Sequence, residues 1–156
     1  MSKNRTDISD SERILLWIRT ILREAEKNDG TDGQALLYAC GKACAASSSL
    51  MLGAAAVRKE LPENADVGTI FKSFKQQYYN TSGLEMAGNR ISLVFTSCTC
   101  SLAKEGIDDP FLCRCTVGYS KALFETLFGR SVEVTLHASI LNGDRECRQS
   151  IVIQEK

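Results

Sequence analysis

Two C-x-C pairs, Cys98-Thr99-Cys100 and Cys113-Arg114-Cys115, stand twelve residues apart in the second half of this 156-residue chain, and Cys147 follows near its end. Residues i and i+2 of an extended segment point to the same side. Each pair is therefore expected to offer two sulfurs to one face. A tetrahedral structural zinc takes four ligands, often thiolates in closely spaced pairs. One intervening residue is tighter than the two or more of most zinc ribbons. The plainer use is as buried filler, since free cysteine packs as a small apolar residue. An iron–sulfur or other redox centre is a third use. The candidate metal ligands are Cys98, Cys100, Cys113, Cys115 and Cys147, with zinc ahead of iron–sulfur.

Position refines these candidates. Cys113 and Cys115 sit just before a predicted helix, where exposed N–H groups and the helix dipole favour a thiolate. That would serve a metal ligand or a nucleophile equally. Cys147 is placed by pairing arithmetic. A two-residue Asn142-Gly143 turn sets Ala138 opposite Cys147, Leu136 opposite Gln149 and Val134 opposite Ile151, which puts Cys147 on the apolar face. Cys40 and Cys44 are one helical turn apart and share a face. They read as small core residues before they read as a second ligand pair. His137, the only histidine, falls on the polar face of its strand, away from Cys147. That disfavours a Cys-His-Asp hydrolase. Asp108-Asp109 precedes Pro110 and reads as a solvated turn. The glycines have neither the spacing nor the context of a phosphate-binding loop.

Composition bounds the classes. Lys plus Arg and Asp plus Glu are 19 each, for a net charge of zero. That argues against nucleic acid or an acidic membrane as partner, because both need a basic surface. The first residues lack a signal-peptide pattern, and the apolar stretch at 49–57 is too short to span a bilayer. A soluble, cytoplasmic protein is expected. Seven cysteines there are reduced thiols or metal ligands, not structural disulfides.

The elements that must position these residues follow from periodicity. The chain reads as a single domain over 1–156, mainly helical over 9–79 and sheet-containing, with the cysteine motifs, over 84–153. Ser9-Asp10-Ser11-Glu12 is a capping box, and a helix follows until Asn28-Asp29-Gly30. Thr31 to Gln34 repeats the spacing and opens one long helix over 31–61. Its many small residues, among them Ala43, Ala45, Gly53 and Ala55, suit close helix–helix contact. A third helix is predicted over 66–79. Leu84-Glu85-Met86 and the strand over 90–98 flank Ala87-Gly88-Asn89 as a hairpin. A loop over 101–112, a helix over 116–128 ending at Gly129, and strands over 131–141 and 146–153 complete the chain. The predicted class is α+β: N-terminal helices packed on a mostly antiparallel sheet, with one helix inserted between C-terminal strands.

Cys113-Arg-Cys-Thr-Val-Gly118-Tyr119, Leu127-Phe128-Gly129-Arg130, Val132-Glu-Val and Gly143-Asp144-Arg-Glu-Cys147 together resemble the 4-vinyl reductase-type domain. That is a small-molecule-binding module related to sensory domains of aromatic-responsive regulators and to vesicle-tethering subunits. The match covers roughly residues 90–153. The segment is also similar to the L-2-amino-thiazoline-4-carboxylic acid hydrolase-like proteins. In aromatic-sensing members the pattern implies a zinc site of three Cys and one Glu. Cys113 and Cys147 match two of those positions; the third Cys position falls on Ser139 and the Glu position on Leu136. Cys98, Cys100 and Cys115 are the candidates to replace what is lost. The resemblance implies dimerisation through helices and a ligand pocket between helices and sheet.

These readings converge on a stand-alone homodimeric domain with a Cys-rich zinc site, binding a small apolar or aromatic ligand in a pocket between the long helix and the sheet. The alternative is a small hydrolase of the aminothiazoline-carboxylate type, or a thiol-dependent or redox protein. The residues do not decide between binding and catalysis.

Overall fold

The computed structural model describes residues 8–28, 31–80 and 82–155. Helix α1, Asp10–Lys27, starts at a complete capping box. The Ser9 hydroxyl accepts from the Glu12 N–H, and the Glu12 carboxylate accepts from the Ser9 N–H at 2.8 Å. Its C-cap is Asn28; the Asp29-Gly30 stop signal and the Thr31 side chain lie outside the described residues.

The long helix expected over 31–61 is two helices, α2 (Thr31–Ala46) and α3 (Ser49–Glu60), bent by 69°. The break has a local cause. The Ser48 side chain accepts from the Met51 N–H at 3.2 Å and starts α3 as its N-cap. A serine with an extended backbone at that position outweighs the helix-favouring alanines around it. Helix α4, Val67–Tyr78, begins at Asp66, whose carboxylate caps the Thr69 N–H at 3.0 Å. No single helix among the described residues is long and apolar enough to cross a membrane; only the bent α2–α3 pair reaches that length and composition.

Strands β1 (Leu84–Ala87) and β2 (Arg90–Phe95) form the predicted hairpin around Gly88, which takes a positive φ of 60°. The loop expected over 101–112 holds a short helix α5, Ser101–Lys104, and the start of a 3₁₀ helix, Pro110–Arg114. Helix α6, Cys115–Phe128, stops at Gly129 in the left-handed conformation. Strands β3 (Val132–Ala138) and β4 (Cys147–Ile153) close an antiparallel sheet of order β1-β2-β4-β3. The class is α+β, and α6 is the helix inserted between strands.

The expected register holds for Val134↔Ile151 and Leu136↔Gln149. It then shifts at a bulge, so Ala138 faces Arg148 and Cys147 pairs with Phe95 of β2. The connection is also not a two-residue turn: a 3₁₀ turn over Ile140–Asn142 and a left-handed Gly143 lie between the strands. Cys147 keeps the inward side all the same, because it shares parity with the buried Gln149, Ile151 and Ile153 of its own strand.

Helices α3, α4 and α6 cover one face of the sheet. Val57, Phe74, Leu84, Ile91, Phe124, Leu127 and Ile151 are fully or almost fully buried there. A smaller core of Leu22, Leu37, Ile107, Phe111 and Leu112 sits under α1 and α2. Helix α2 lies directly on α6. A Cβ at Gly41 would run into the carbonyl oxygen of Cys115, and one at Gly118 into that of Tyr38. These two glycines let the backbones touch.

Candidate functional site

The cysteines meet where β2 leaves the sheet, the 3₁₀ helix enters α6, and β3 turns into β4. Cys113 is buried; Cys98, Cys100, Cys115 and Cys147 are half-buried. Cys147, Cys98 and Cys100 are all close enough to Cys113 to act electrostatically on its thiol. Cys115 senses Cys100 and Cys113, but also Cys44 and Cys40 on α2.

The two doublets therefore behave differently. Cys98-Thr99-Cys100 lies outside regular structure, with an extended backbone at Cys100. Cys113-Arg114-Cys115 runs through the 3₁₀-to-α6 junction. At 3.0 to 3.6 residues per turn, positions i and i+2 point well apart. Against the expected shared face, the two side chains of the second doublet thus point apart: Cys113 meets Ser139 of the β3–β4 turn, while Cys115 has Cys100 and Cys113 as its foremost sulfur neighbours, ahead of Cys44 and Cys40 on α2. The signal was present in the sequence. Asp109 followed by Pro110 is an N-cap with proline at the first helical position, and the Asp109 carboxylate accepts from the Phe111 N–H at 2.9 Å.

The β3–β4 turn is organised around the thiols. The Ser139 hydroxyl donates to Cys113 Sγ at 3.1 Å and accepts from the Asn142 N–H at 3.2 Å. The Ser139 N–H donates to the Asp144 carboxylate at 2.8 Å. The Ile140 N–H donates to Cys147 Sγ at 3.4 Å. Position 139 thus adjoins Cys113, although it holds a hydroxyl, and the next residue, Ile140, adjoins Cys147. On the opposite side of the strand, His137 meets Ser150, Nε2 to Oγ 2.8 Å.

A buried polar chain fixes α6 against β4 beside this site. The Ser120 hydroxyl donates to Gln149 Oε1 at 2.6 Å, and Gln149 Nε2 donates to Thr116 Oγ1 at 2.6 Å. Thr116 Oγ1 in turn donates to the Cys113 carbonyl at 2.7 Å. The sequence offered no pattern for Gln149 beyond its inward parity.

Over residues 4–156 the sequence matches a family of unknown function, DUF6144. The chain belongs to that family. No curated protein matches it. Among solved structures, the DUF6144 chain is similar to trafficking protein particle complex subunit 3 from Naegleria fowleri covalently bound to palmitic acid. The identity is 12%, the TM-score 0.52, and 94% of this chain and 96% of that chain are covered. At that identity the likeness is one of fold.

In the DUF6144 chain, burial decides the state of the thiols. It pushes the Cys113 thiol up; the Ser139 hydrogen bond pulls the other way, and the nearby cysteines add to the rise. Burial first, then Cys100 and the other cysteines, push Cys115 up to about 12. The thiolates expected from the helix N-terminus are thus replaced by neutral thiols, because removing a charged sulfur from water outweighs one helix end. Among the described residues, no group of three or more His, Cys, Asp or Glu side chains is gathered as ligands around one point.

Cys40 and Cys44, expected in the core, are exposed. Among the described side chains of α2, only Gly33, Leu37, Gly41 and Ala45 are buried, a single stripe at i+4. The space between helices and sheet where a pocket was expected is occupied by the side chains of the main core. An open groove of about 430 Å³ lies instead between α1 and α2, lined by Ile21, Ala25, Leu36 and polar neighbours including Glu24 and Asp32.

Proposed function

We propose that this DUF6144 chain is a binding domain whose thiol site, Cys98, Cys100, Cys113 and Cys147, takes zinc. The observation that carries the reading is the setting of Cys113: buried, with three further cysteines from two other segments within electrostatic reach. The donor set suits the metal, since zinc takes thiolates in closed tetrahedral sites. Binding would release the thiol protons to solvent and gather the four sulfurs, in place of the hydrogen bonds from Ser139 and Ile140. Neutral buried thiols are poor nucleophiles, and His137 lies across the sheet, so binding is favoured over thiol catalysis. Metal analysis of freshly purified, reduced protein tests this. Stoichiometric zinc is expected; metal-free protein that also fails to take zinc from a buffered solution would overturn it, and brown, iron-containing protein would replace zinc with a cluster.

The fold is shared with a protein covalently bound to palmitic acid. A fatty acyl chain is therefore the first small ligand to test, and the α1–α2 groove offers it an apolar wall.

A homodimer is the second part of the reading, favoured by the surface of the same two helices. Ile14, Trp17 and Ile21 on α1 are 58%, 67% and 53% exposed, and Leu36 on α2 is 44% exposed. A contiguous apolar face of this kind marks an interaction surface, and two-fold pairing is the commonest assembly. On this reading the interface lies on α1 and α2, with the exposed Leu52 of α3 at 72% as a further apolar contact, whereas Ala55 of α3 is half-buried. Light scattering should return twice the 17.1 kDa chain mass, and Trp17→Glu should return the monomer.

A further inference from the structure

We propose that the groove between α1 and α2 receives Trp17 of a second copy of this chain, with the two α1 helices pairing antiparallel across a two-fold axis. This deepens the homodimer reading above and rests on it. Three observations carry it. Ile14, Trp17 and Ile21 follow one another at three- and four-residue steps, so they form one apolar seam along α1. Trp17 stands at the middle of that seam and is 67% exposed, which leaves most of a large ring outside its own fold. The groove opens about one to two turns further along the same helix. It offers about 430 Å³ of space and apolar walls from Ile21, Ala25 and Leu36.

A knob and a recess on one face of one chain are what an isologous interface needs, since each copy then gives and receives the same contact. The direction of pairing follows from their order. The recess lies on the C-terminal side of Trp17, so an antiparallel partner brings its own Trp17 to the recess and offers its recess in return. A parallel partner would set ring against ring and leave both recesses empty. The charges agree. Arg13 lies one turn before Trp17 and Glu24 two turns after it, and both are exposed. Antiparallel pairing sets Arg13 of each copy at the level of the partner's Glu24, whereas parallel pairing sets like charges together. The Glu24 carboxylate accepts from Lys27 at 2.6 Å through one oxygen, and its second oxygen can take a guanidinium. Within one helix Arg13 and Glu24 are about 16 Å apart at about 1.5 Å per residue, so any coupling between them runs between copies. An acyl chain in the groove would displace the partner's ring, so ligand and assembly exclude each other there.

Trp17 is the only tryptophan, so its emission reports this contact alone. The full reduced chain is diluted through the micromolar range while fluorescence and light scattering are read together. Association is expected to move the emission to shorter wavelength, and dilution to monomer to move it back. Arg13→Glu and Glu24→Arg should each weaken the dimer about tenfold or more, because each places like charges together across the interface. The double variant Arg13→Glu/Glu24→Arg restores opposite charges and should return to within about threefold of the wild type. Far-ultraviolet circular dichroism confirms that each variant is folded. A dimer whose tryptophan emission ignores association overturns the proposal and leaves the homodimer reading standing. A double variant that binds no tighter than the single ones overturns the antiparallel pairing. A monomer at every concentration overturns the homodimer reading and this proposal with it.

Discussion

The two halves of this molecule are held together by different means. Over the sheet, α3, α4 and α6 bury large side chains completely: Phe74, Phe124, Leu127 and Ile151 have essentially no exposure. At the α1–α2 corner the core is small, the helices expose Trp17, Ile21 and Leu36, and α2 is held to α6 by two glycine contacts; two hydrogen bonds to thiols order the neighbouring β3–β4 turn. Apolar area stabilises the first half and leaves it no room to respond. The second half keeps polar, sulfur-bearing and exposed apolar groups at a seam between elements. A ligand, a metal or a second chain can change that seam without repacking the sheet. The thiol site lies on the border, tied to the sheet through Cys147 and to the helices through Cys113 and Cys115.

The largest effect should come from the packed half. Phe124→Ala removes a ring that is 1% exposed and stacked on Phe128 with centroids 6.2 Å apart. It should cost about 3–5 kcal/mol in denaturant unfolding. A loss under about 1 kcal/mol would mean that the sheet half does not carry the stability.

Gln149→Ala comes next, at the border. It leaves the Ser120 and Thr116 hydroxyls without their shared partner in a buried setting. The expected cost is about 1–3 kcal/mol, together with faster labelling of Cys113, because the chain anchoring α6 to β4 also holds the Cys113 carbonyl. A stability loss with unchanged Cys113 labelling would separate the network from the site.

Much of the packed half could be read in advance, because its signals are local and periodic. The Ser9 capping box, the Gly88 hairpin, the Gly129 stop and the Val134↔Ile151 register all follow from residue types at fixed spacing. What escaped is set by competition between signals. Ser48 broke a run of helix formers at a place where small residues suggested continuity. Asp109-Pro110 turned the second C-x-C helical and so split Cys113 from Cys115. The exposure of Cys40 and Cys44 follows from how narrow a face of α2 rests on α6. Its buried stripe is only one residue wide, and a run of alanines does not announce that.

A smaller, pH-dependent effect separates the thiols further. Burial raises the Cys115 thiol from 9.0 to about 12 in the folded chain. Above pH 9 the unfolded chain loses this proton while the folded chain keeps it, so stability must fall as pH rises from about 9 to about 12. Below that window both states hold the proton and the thiol contributes no slope. Cys115→Ala should flatten the decline measured by denaturant unfolding across the window, whereas Cys40→Ala, at an exposed position, should leave it as in the wild type. Equal slopes for wild type and Cys115→Ala would contradict the burial that sets the Cys115 proton.

The central claim is that Cys98, Cys100, Cys113 and Cys147 act together as one metal-binding site. Its most direct test is zinc affinity, measured by competition with a chromophoric chelator, for the wild type and for Cys113→Ala, Cys147→Ala and Cys115→Ala in a Cys40→Ala/Cys44→Ala background that silences the α2 cysteines. In that background the Cys115 thiol should be dispensable, and the account predicts tight zinc binding that survives Cys115→Ala. Affinity should fall at least a hundredfold on replacing either Cys113 or Cys147, a loss of about 2.7 kcal/mol at 1.36 kcal/mol per tenfold change. Zinc binding that tolerates the loss of Cys113 and Cys147 but not of Cys115, or no zinc binding at all, would contradict it.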